Sequence, residues 1–404
     1  MNADRILFTL PALPCYAIAH KRGRKTLEIQ AFEGEVSVAV EYDYNRAPLC
    51  LVASANEGDS FAVHLMPHRI ELYKNGVLVD EEWPAGNRLY SVGDEICGMI
   101  SVSSETFEIQ QAEKQTVLGE FFGGEGWRPE ENVFAGDCMP YTKDGVFHLL
   151  YLKDRHHHRS KWGLGAHQWE HLSSPNLDRW QIHPMAVEIT DPEEGSICTG
   201  SWIRREDKEY LFYTVRRGKG LSAPIRRSIS YDGYNFKKDS SFEVVLSDRY
   251  NIRAARDPKV ILGEDGRYHM FLTTMLVKEN LGCLAHLVSD DLDRWEDTGT
   301  PVYIGENATH PECPDYIVYN NKYYLIFSLM GKAHYMVSDR PFDGWKQFEN
   351  PIIPCGTVPK GAIFNGKIVF VGFVKQGGYG GNLTFCTATA AESGELIFKA
   401  GKGD

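Results

Sequence analysis

The chain of 404 residues contains no apolar run of eighteen or more residues, which excludes an ordinary membrane-spanning helix. It has no basic excess. Lys and Arg total 43 against 55 Asp and Glu, and the net charge of −12 argues against a nucleic-acid partner, which requires a basic stripe. Its nine cysteines form no CxxC pair and are odd in number, which excludes a simple disulfide framework and points to free thiols in a reducing cytoplasm. The opening MNADRILFTLPALPCYAIAH lacks the basic, apolar and small-residue succession of a secretory leader, so a cytoplasmic location is expected. No glycine-rich phosphate loop precedes a helix, so no nucleotide cofactor is expected. No long amphipathic pattern marks a helix of any length.

What is present is β-structure. Aromatics are abundant, with 20 Tyr, 20 Phe and 8 Trp, suited to filling β-rich cores, a minority being suited to stacking on sugars. Residues 1–115 show alternating apolar runs in KTLEIQAF, EVSVAVEY and ICGMISV. In IELYKNGVLVDEEW, Asn75-Gly76 separates two strand-like runs, as a type I′ hairpin turn requires. This region is expected to be a β-sandwich-like domain that either binds carbohydrate or braces its neighbour. A glycine-rich linker follows at about residues 116–130, within LGEFFGGEGWRPEEN.

From about residue 131 to 404 the chain repeats itself. The runs GVFHLLYLKD, KEYLFYTVRR, GRYHMFLTTM, NKYYLIFSLM and NGKIVFVGFV each begin at or follow a tight-turn sequence. The segments SSPNLDRW, SYDGYNF, SDDLDRW and SDRPFDGW close four of the units, and the fifth is degenerate. Units of about 45–60 residues with several short strands predict a β-propeller, here of five blades. The expected fold is therefore all-β, a five-bladed propeller preceded by the sandwich-like domain.

The innermost strands of such blades face a common channel. The candidates are FAGDCMPYT, ICTGSWIR, ARDPKVIL, HPECPDYIVY and GTVPKGAIF. Three carry a carboxylate at nearly the same place: Asp137, Asp257 and Glu312. The second offers Thr199 and Ser201, and the fifth Lys360. Like charges converging on a channel repel, so their clustering points to chemistry. Glycosidic cleavage needs two carboxyl groups, one to protonate the leaving oxygen and one to attack or to activate water, and a third can hold sugar hydroxyls.

Over residues 130–404 the chain resembles glycoside hydrolase family 32, the retaining β-fructofuranosidases. ARDPKV resembles that family's RDP motif, PECPD its EC motif, CTGSW its FSGS motif, and HLLY with KWGLGAHQWEHLSSPNLDRW a further signature stretch. The resemblance implies Asp137 as nucleophile, Asp257 as transition-state stabiliser and Glu312 as acid/base. It also implies Arg256 as an orienting partner for Asp257 or Glu312, with Thr199 and Trp162 lining the sugar pocket. The chain departs from the family's WMNDPNG motif, reading VFAGDCMPY. The family's Gln after HLFY falls on Leu152, with Asp154 or the His156–His158 run placed to substitute. In the family the sandwich follows the propeller, whereas here the β domain precedes it.

Other features carry two readings each. Adjacent histidines on a strand point to opposite faces, so His156–His158 suits a sugar-contacting or solvated loop, and no metal site is expected. His167 and Trp169 share one strand face, at the pocket border or in the core. Arg216, Arg217, Lys219, Arg226 and Arg227 form either a solvated patch or a seat for an anionic substituent of the substrate. The expected substrate is a small oligosaccharide or glycoside. The alternatives are an inverting arabinanase-like furanosidase, a glycosyl-transfer enzyme or a non-catalytic carbohydrate-binding protein.

Overall fold

The computed structural model describes residues 2–41, 48–66, 69–82, 93, 95–108, 116–118, 126–128, 133–155, 167–190, 194–217 and 224–401. Trp162, His156–His158, Lys219 and most of the expected linker lie outside them. The described residues form strands, turns and irregular segments with no helix. Contacts divide the chain into two compact units. The first holds the strands up to Glu108, and the second nearly all the described residues from Thr116 onward.

The first unit consists of two antiparallel five-stranded sheets. One runs Val102–Glu108, Asn2–Thr9, Ser60–Leu65, Ile70–Lys74, Val77–Glu82. The other runs Leu49–Ser54, Glu35–Val40, Arg24–Phe32, Cys15–Lys21, Glu95–Gly98. The period-2 rule explains which side chains go inward. Strand Glu35–Val40 buries Val36, Val38 and Val40 while Glu35 is exposed. Ile6, Phe8, Val63 and Leu72 from one sheet share a single core with Ala19, Ile29, Val38 and Leu51 from the other. At the Asn75-Gly76 turn both residues have positive φ, 50° and 83°, as a type I′ hairpin demands. The Asn75 side chain ties the turn down by accepting from the Ser60 amide and donating to Asp59.

The second unit repeats one plan. An inner strand turns back into a second, which pairs with a third. These hairpins are Phe134–Lys143 with Val146–Asp154, Arg256–Leu262 with Tyr268–Leu276, Glu312–Tyr319 with Lys322–Leu329, and Thr357–Phe364 with Lys367–Lys375. Glu194–Arg205 and Lys208–Arg217 are neighbours in the remaining sheet. Positive φ at Asp144, Glu206, Asn320, Asn321 and Asn365 makes four of the turns tight.

The turns after the third strands are held by side chains. Asn176 Oδ1 accepts the amides of Asp178 and Arg179. Asp232 and Asp291 do the same for the two residues that follow their own turns. Trp180 and Trp295 then donate their indole N–H to Leu177 and Leu292. This is why the recurring Ser-x-Asp/Asn signatures precede an aromatic residue.

Apolar clusters link successive repeats. Phe212 packs with Met270 and Leu272, Phe271 with Tyr316 and Leu325, Ile326 with Ile368 and Phe370, and Val369 and Val371 with Phe147 and Leu149. The last of these joins the end of the chain to the first repeat, and the pair Ala135–Gly381 adds a backbone link at the same seam.

Candidate active site

The inner strands are interrupted at a common place. Each of the four hairpins with a resolved inner register has a β-bulge: between Ala135 and Cys138, Arg256 and Lys259, Glu312 and Asp315, and Thr357 and Lys360. A bulge re-aims side chains that a regular strand would send to alternate faces. Asp257, Cys313 and Val358 adopt the left-handed region there, with φ of 57°, 52° and 48°. Such a conformation costs a non-glycine residue on the order of 1 kcal/mol or more, and the surrounding ladders must hold it.

Counting along the strands gives an ordered tier. Asp137, Asp257, Cys313 and Val358 each lie two residues before Met139, Lys259, Asp315 and Lys360, which pair into the second strands. Thr199 stands in the same relation to Ser201. Two carboxylates, Asp137 and Asp257, therefore share one tier. Glu312 lies one residue earlier, and Cys313 takes the tier position in its strand.

Four members of the tier meet directly. Thr199 Oγ1 donates to Asp137 Oδ2 at 2.5 Å, and the Cys313 thiol contacts Asp137 Oδ2 at 3.4 Å, Thr199 Oγ1 at 3.7 Å and Asp257 Oδ2 at 3.6 Å. The Cys313 amide donates to Asp257 Oδ2 at 3.1 Å, and the Asp257 amide donates to Thr214 Oγ1 at 2.9 Å. Burial, followed by the charges of Asp257 and Asp137, holds the Cys313 thiol well above its ordinary pKa, so it is a neutral donor between two acids.

Glu312 differs from its neighbours in exposure. Its side chain is 43% exposed, whereas that of Asp257 is 5%. Asp137 is half-buried, so Asp137 and Glu312 are the two of the three acids that reach solvent. Arg256 joins Glu312 to Asp257, with Nη2 at 2.7 Å from Glu312 Oε1 and Nε at 3.6 Å from Asp257 Oδ2. Its closer partner is thus Glu312. Burial opposes the Arg256 charge, but Asp257 and Glu312 outweigh it and hold the guanidinium above its ordinary pKa. Arg256 also donates to the Ala254 carbonyl and contacts His310 Nδ1 at 3.2 Å. Burial, and then the Arg256 charge, lower the His310 pKa, so the ring is kept neutral as an acceptor.

One step further along the strands, Met139, Ser201, Lys259, Asp315 and Lys360 all line a small cavity of about 20 Å³. Lys259 Nζ lies 2.5 Å from Asp315 Oδ1, and Lys360 Nζ donates to the Gly200 carbonyl at 3.2 Å. That volume admits nothing larger than a water molecule, so a sugar has no room at this level.

The remaining sequence candidates sit around this centre. Asp154 and His167 are buried together, with Oδ2 and Nε2 3.3 Å apart. Trp169 is fully buried, stacks edge-on against Tyr213 and donates its indole N–H to the Cys198 carbonyl, one residue before Thr199. Leu152 is buried and opposes Trp169 in the sheet. Arg227 is tied to Asp239 and lies over the Phe242 ring, and Arg226 donates to the Phe242 carbonyl. Among the described residues no group of three His, Cys, Asp or Glu side chains is arranged to hold a metal ion.

Sequence reasoning did not single out Tyr379, whose hydroxyl donates to Asp137 Oδ1 at 2.9 Å and accepts the Asp137 amide at 3.0 Å. Nor did it find Thr214. The one available signal for Tyr379 was its setting in QGGYGG, glycine on both sides of an aromatic.

Carboxylates gathered at bulged strand ends around a neutral thiol, with an arginine bridging to a solvent-facing acid, are groups suited to acid–base and nucleophilic chemistry. Residues 129–349 match the sequence profile of the glycosyl hydrolases family 32 N-terminal domain, more than half the chain. The chain belongs to glycosyl hydrolase family 32. It is 29% identical over 195 residues to a probable sucrose-6-phosphate hydrolase of Psychromonas ingrahamii, a stretch covering 46% of this chain and 34% of the relative. It is 27% identical over 189 residues to fructan 6-exohydrolase of Beta vulgaris, covering 44% and 30%. The similarity thus spans only about a third of these relatives' lengths. Among solved structures, fructan 1-exohydrolase IIa from Cichorium intybus superposes with a TM-score of 0.57 at 16% identity, covering 70% of this chain and 61% of that one, a likeness of fold.

Proposed function

We propose that this chain is a hydrolase of a small β-fructofuranoside that works with retention of configuration. In this reading Asp137 attacks the anomeric carbon as the glycosidic C–O bond breaks, and Glu312 delivers a proton to the departing oxygen. Water then attacks the same carbon, gives its proton to Glu312 and releases Asp137. Asp257 holds sugar hydroxyls and stabilises the positive charge that develops on the ring. One observation carries the assignment: a half-buried Asp137 and a buried Asp257 share a tier across the Cys313 thiol, and the exposed Glu312 stands beside them on Arg256. Family membership supports the same roles.

The pairing of Arg256 with Glu312 has a mechanistic consequence in this scheme. The guanidinium holds Glu312 Oε1 in a charge-assisted hydrogen bond and so fixes where that carboxyl group points. Binding of the leaving group beside Glu312 must loosen that contact before the proton is delivered.

The fold reading that accompanies this function is a five-bladed propeller over residues 131–404, with a linker at 116–130 and a β-sandwich over 1–115. It is supported by the recurring hairpins, by apolar clusters linking each of four neighbouring pairs, and by the seam between first and last repeats. Nine free cysteines support a cytoplasmic location. The substrate is small because Leu152, buried and apolar, replaces a polar sugar contact, and Gly136 precedes the nucleophile where the family carries Asn. Losing a polar contact costs on the order of 1–3 kcal/mol. Weak turnover of sucrose and none of long inulin or levan are expected.

The experiment is a panel of fructosides, arabinosides and phosphorylated disaccharides, with the anomeric form of the first product followed by NMR. Retained configuration on a small fructoside is the expected result. Inverted product, or preference for arabinosides or polymeric fructan, would replace this reading with another.

A further inference from the structure

The geometry points to Tyr379 as the positioning residue of the Asp137 carboxylate, seated in a space that exists because residue 136 is glycine. This rests on the reading of Asp137 as nucleophile. Tyr379 lies in the turn between strands Lys367–Lys375 and Gly381–Ala390, 242 residues from its partner. Its hydroxyl makes two contacts with one residue, donating to Asp137 Oδ1 and accepting from the Asp137 amide. A single phenol oxygen thereby fixes both the backbone and the side chain of Asp137. Thr199 and Cys313 engage the other carboxylate oxygen. The carboxylate is thus held from both sides.

The seat is built for this ring. A Cβ at Gly136 would lie 2.5 Å from the Tyr379 hydroxyl and 2.7 Å from Cε1, so any larger residue there drives the phenol out. Gly377 and Gly380 have φ of 74° and 78°, which lets the turn fold inward. The ring stacks on His167 with centroids 5.0 Å apart and meets Phe373 edge-on at 5.3 Å. The buried Asp154–His167 pair therefore acts on the site through Tyr379, as the floor on which the phenol rests. Burial, and then the charge of Asp137, keep the phenol well above its ordinary pKa, so it stays a donor throughout the working range.

A fixed donor on this carboxylate matters most when the carboxylate regains its charge. In the second half-reaction the bond between Asp137 and the sugar breaks and its electron pair returns to Asp137. A donor already in place stabilises that charge without reorganisation. Tyr379 is thus a positioning residue, acting through Asp137 rather than on the sugar.

The test uses the full chain and nitrophenyl β-D-fructofuranoside, whose leaving group needs little protonation. Tyr379→Phe is expected to lower kcat by roughly tenfold to a hundredfold, with KM changing by no more than about threefold. Gly136→Ala is expected to act in the same direction, with a normal melting transition, because its methyl group displaces the same hydroxyl. A substrate-free measurement accompanies these: the ¹³Cζ resonance of Tyr379, assigned by its loss in Tyr379→Phe, followed against pH. Asp137→Asn removes a charge that opposes phenol ionisation, so the resonance should titrate at lower pH in that variant. An unchanged kcat in Tyr379→Phe, or a Tyr379 resonance indifferent to Asp137→Asn, would overturn the proposal. A wild-type chain inactive on the fructofuranoside, with the resonance still responding to Asp137→Asn, would reject the substrate reading and leave the positioning role standing.

Discussion

Cys313 occupies in its strand the place that Asp137 and Asp257 occupy in theirs, and its thiol touches both. At the residue scale the site is therefore one tier in which two acids are separated by neutral donors, Thr199 and Cys313, while the third acid stands one position outward. Removing a neutral donor tests this directly. Thr199→Val keeps the shape but removes the 2.5 Å hydrogen bond to Asp137. A hydrogen bond to a charged group is worth about 1.5–3 kcal/mol, so kcat should fall on the order of tenfold or more in steady-state assays of the purified variant. The acids themselves should differ in kind. Asp137→Ala and Glu312→Ala should each lose several orders of magnitude, but Glu312→Ala should keep activity on nitrophenyl substrates and recover with azide, whereas Asp137→Ala should form no covalent intermediate. As candidates, Arg256, Asp257 and Glu312 were legible in the sequence through the RDP-like and EC-like motifs, and Asp137 through its place on the first inner strand. Tyr379 was not, because it lies 242 residues from Asp137 in the last repeat, and only the seam between last and first repeats brings them together.

At the scale of elements, the turns were legible and the bulges were not. Asn75-Gly76 and the Asp-Gly and Asn-Gly pairs of the repeats announce positive φ by composition. A bulge at Asp257 or Cys313 places a β-disfavoured conformation on residues with no such signature, and so the sequence suggested three matching carboxylates where the register gives two. The strands also bury paired histidines at corresponding places in two repeats: His148 against His171 at 3.0 Å, and His269 against His286 at 2.8 Å. Burial, followed by nearby positive groups, lowers His148 to about 3, and burial, followed by His269, lowers His286 to about 4. A free histidine titrates near 6.5. Below that value the unfolded chain binds protons that the folded chain refuses, so this stability is fully present above about pH 6.5 and is lost as pH falls toward 4. For His286 alone the loss amounts to about 3 kcal/mol. Urea unfolding at pH 7 and pH 4.5 should show that decline, and His286→Gln should flatten it. An equal slope in the variant would contradict the account. Gly200 offers a packing test: a Cβ there would lie 1.8 Å from the Phe212 carbonyl, so Gly200→Ala should destabilise the chain by several kcal/mol, read as a lowered melting temperature.

At the scale of the whole molecule, the site depends on bringing distant strands to one place. Asp137, Thr199, Asp257 and Cys313 come from four different repeats, and a fifth supplies Tyr379. The apolar clusters between repeats and the seam at Ala135–Gly381 therefore position the chemistry as well as stabilise the fold. Repeat length and turn signatures made this arrangement legible in outline, whereas the side-chain contacts at its centre depended on strand register. The central claim is that Asp137 forms a covalent bond to the sugar. It is tested by trapping the intermediate with a slow fluorinated fructoside, digesting the protein and locating the added mass by mass spectrometry. The account predicts the label on the peptide carrying Asp137, at Asp137 itself, with product of retained configuration. A label on any other residue, or inverted product without a trapped intermediate, would contradict it.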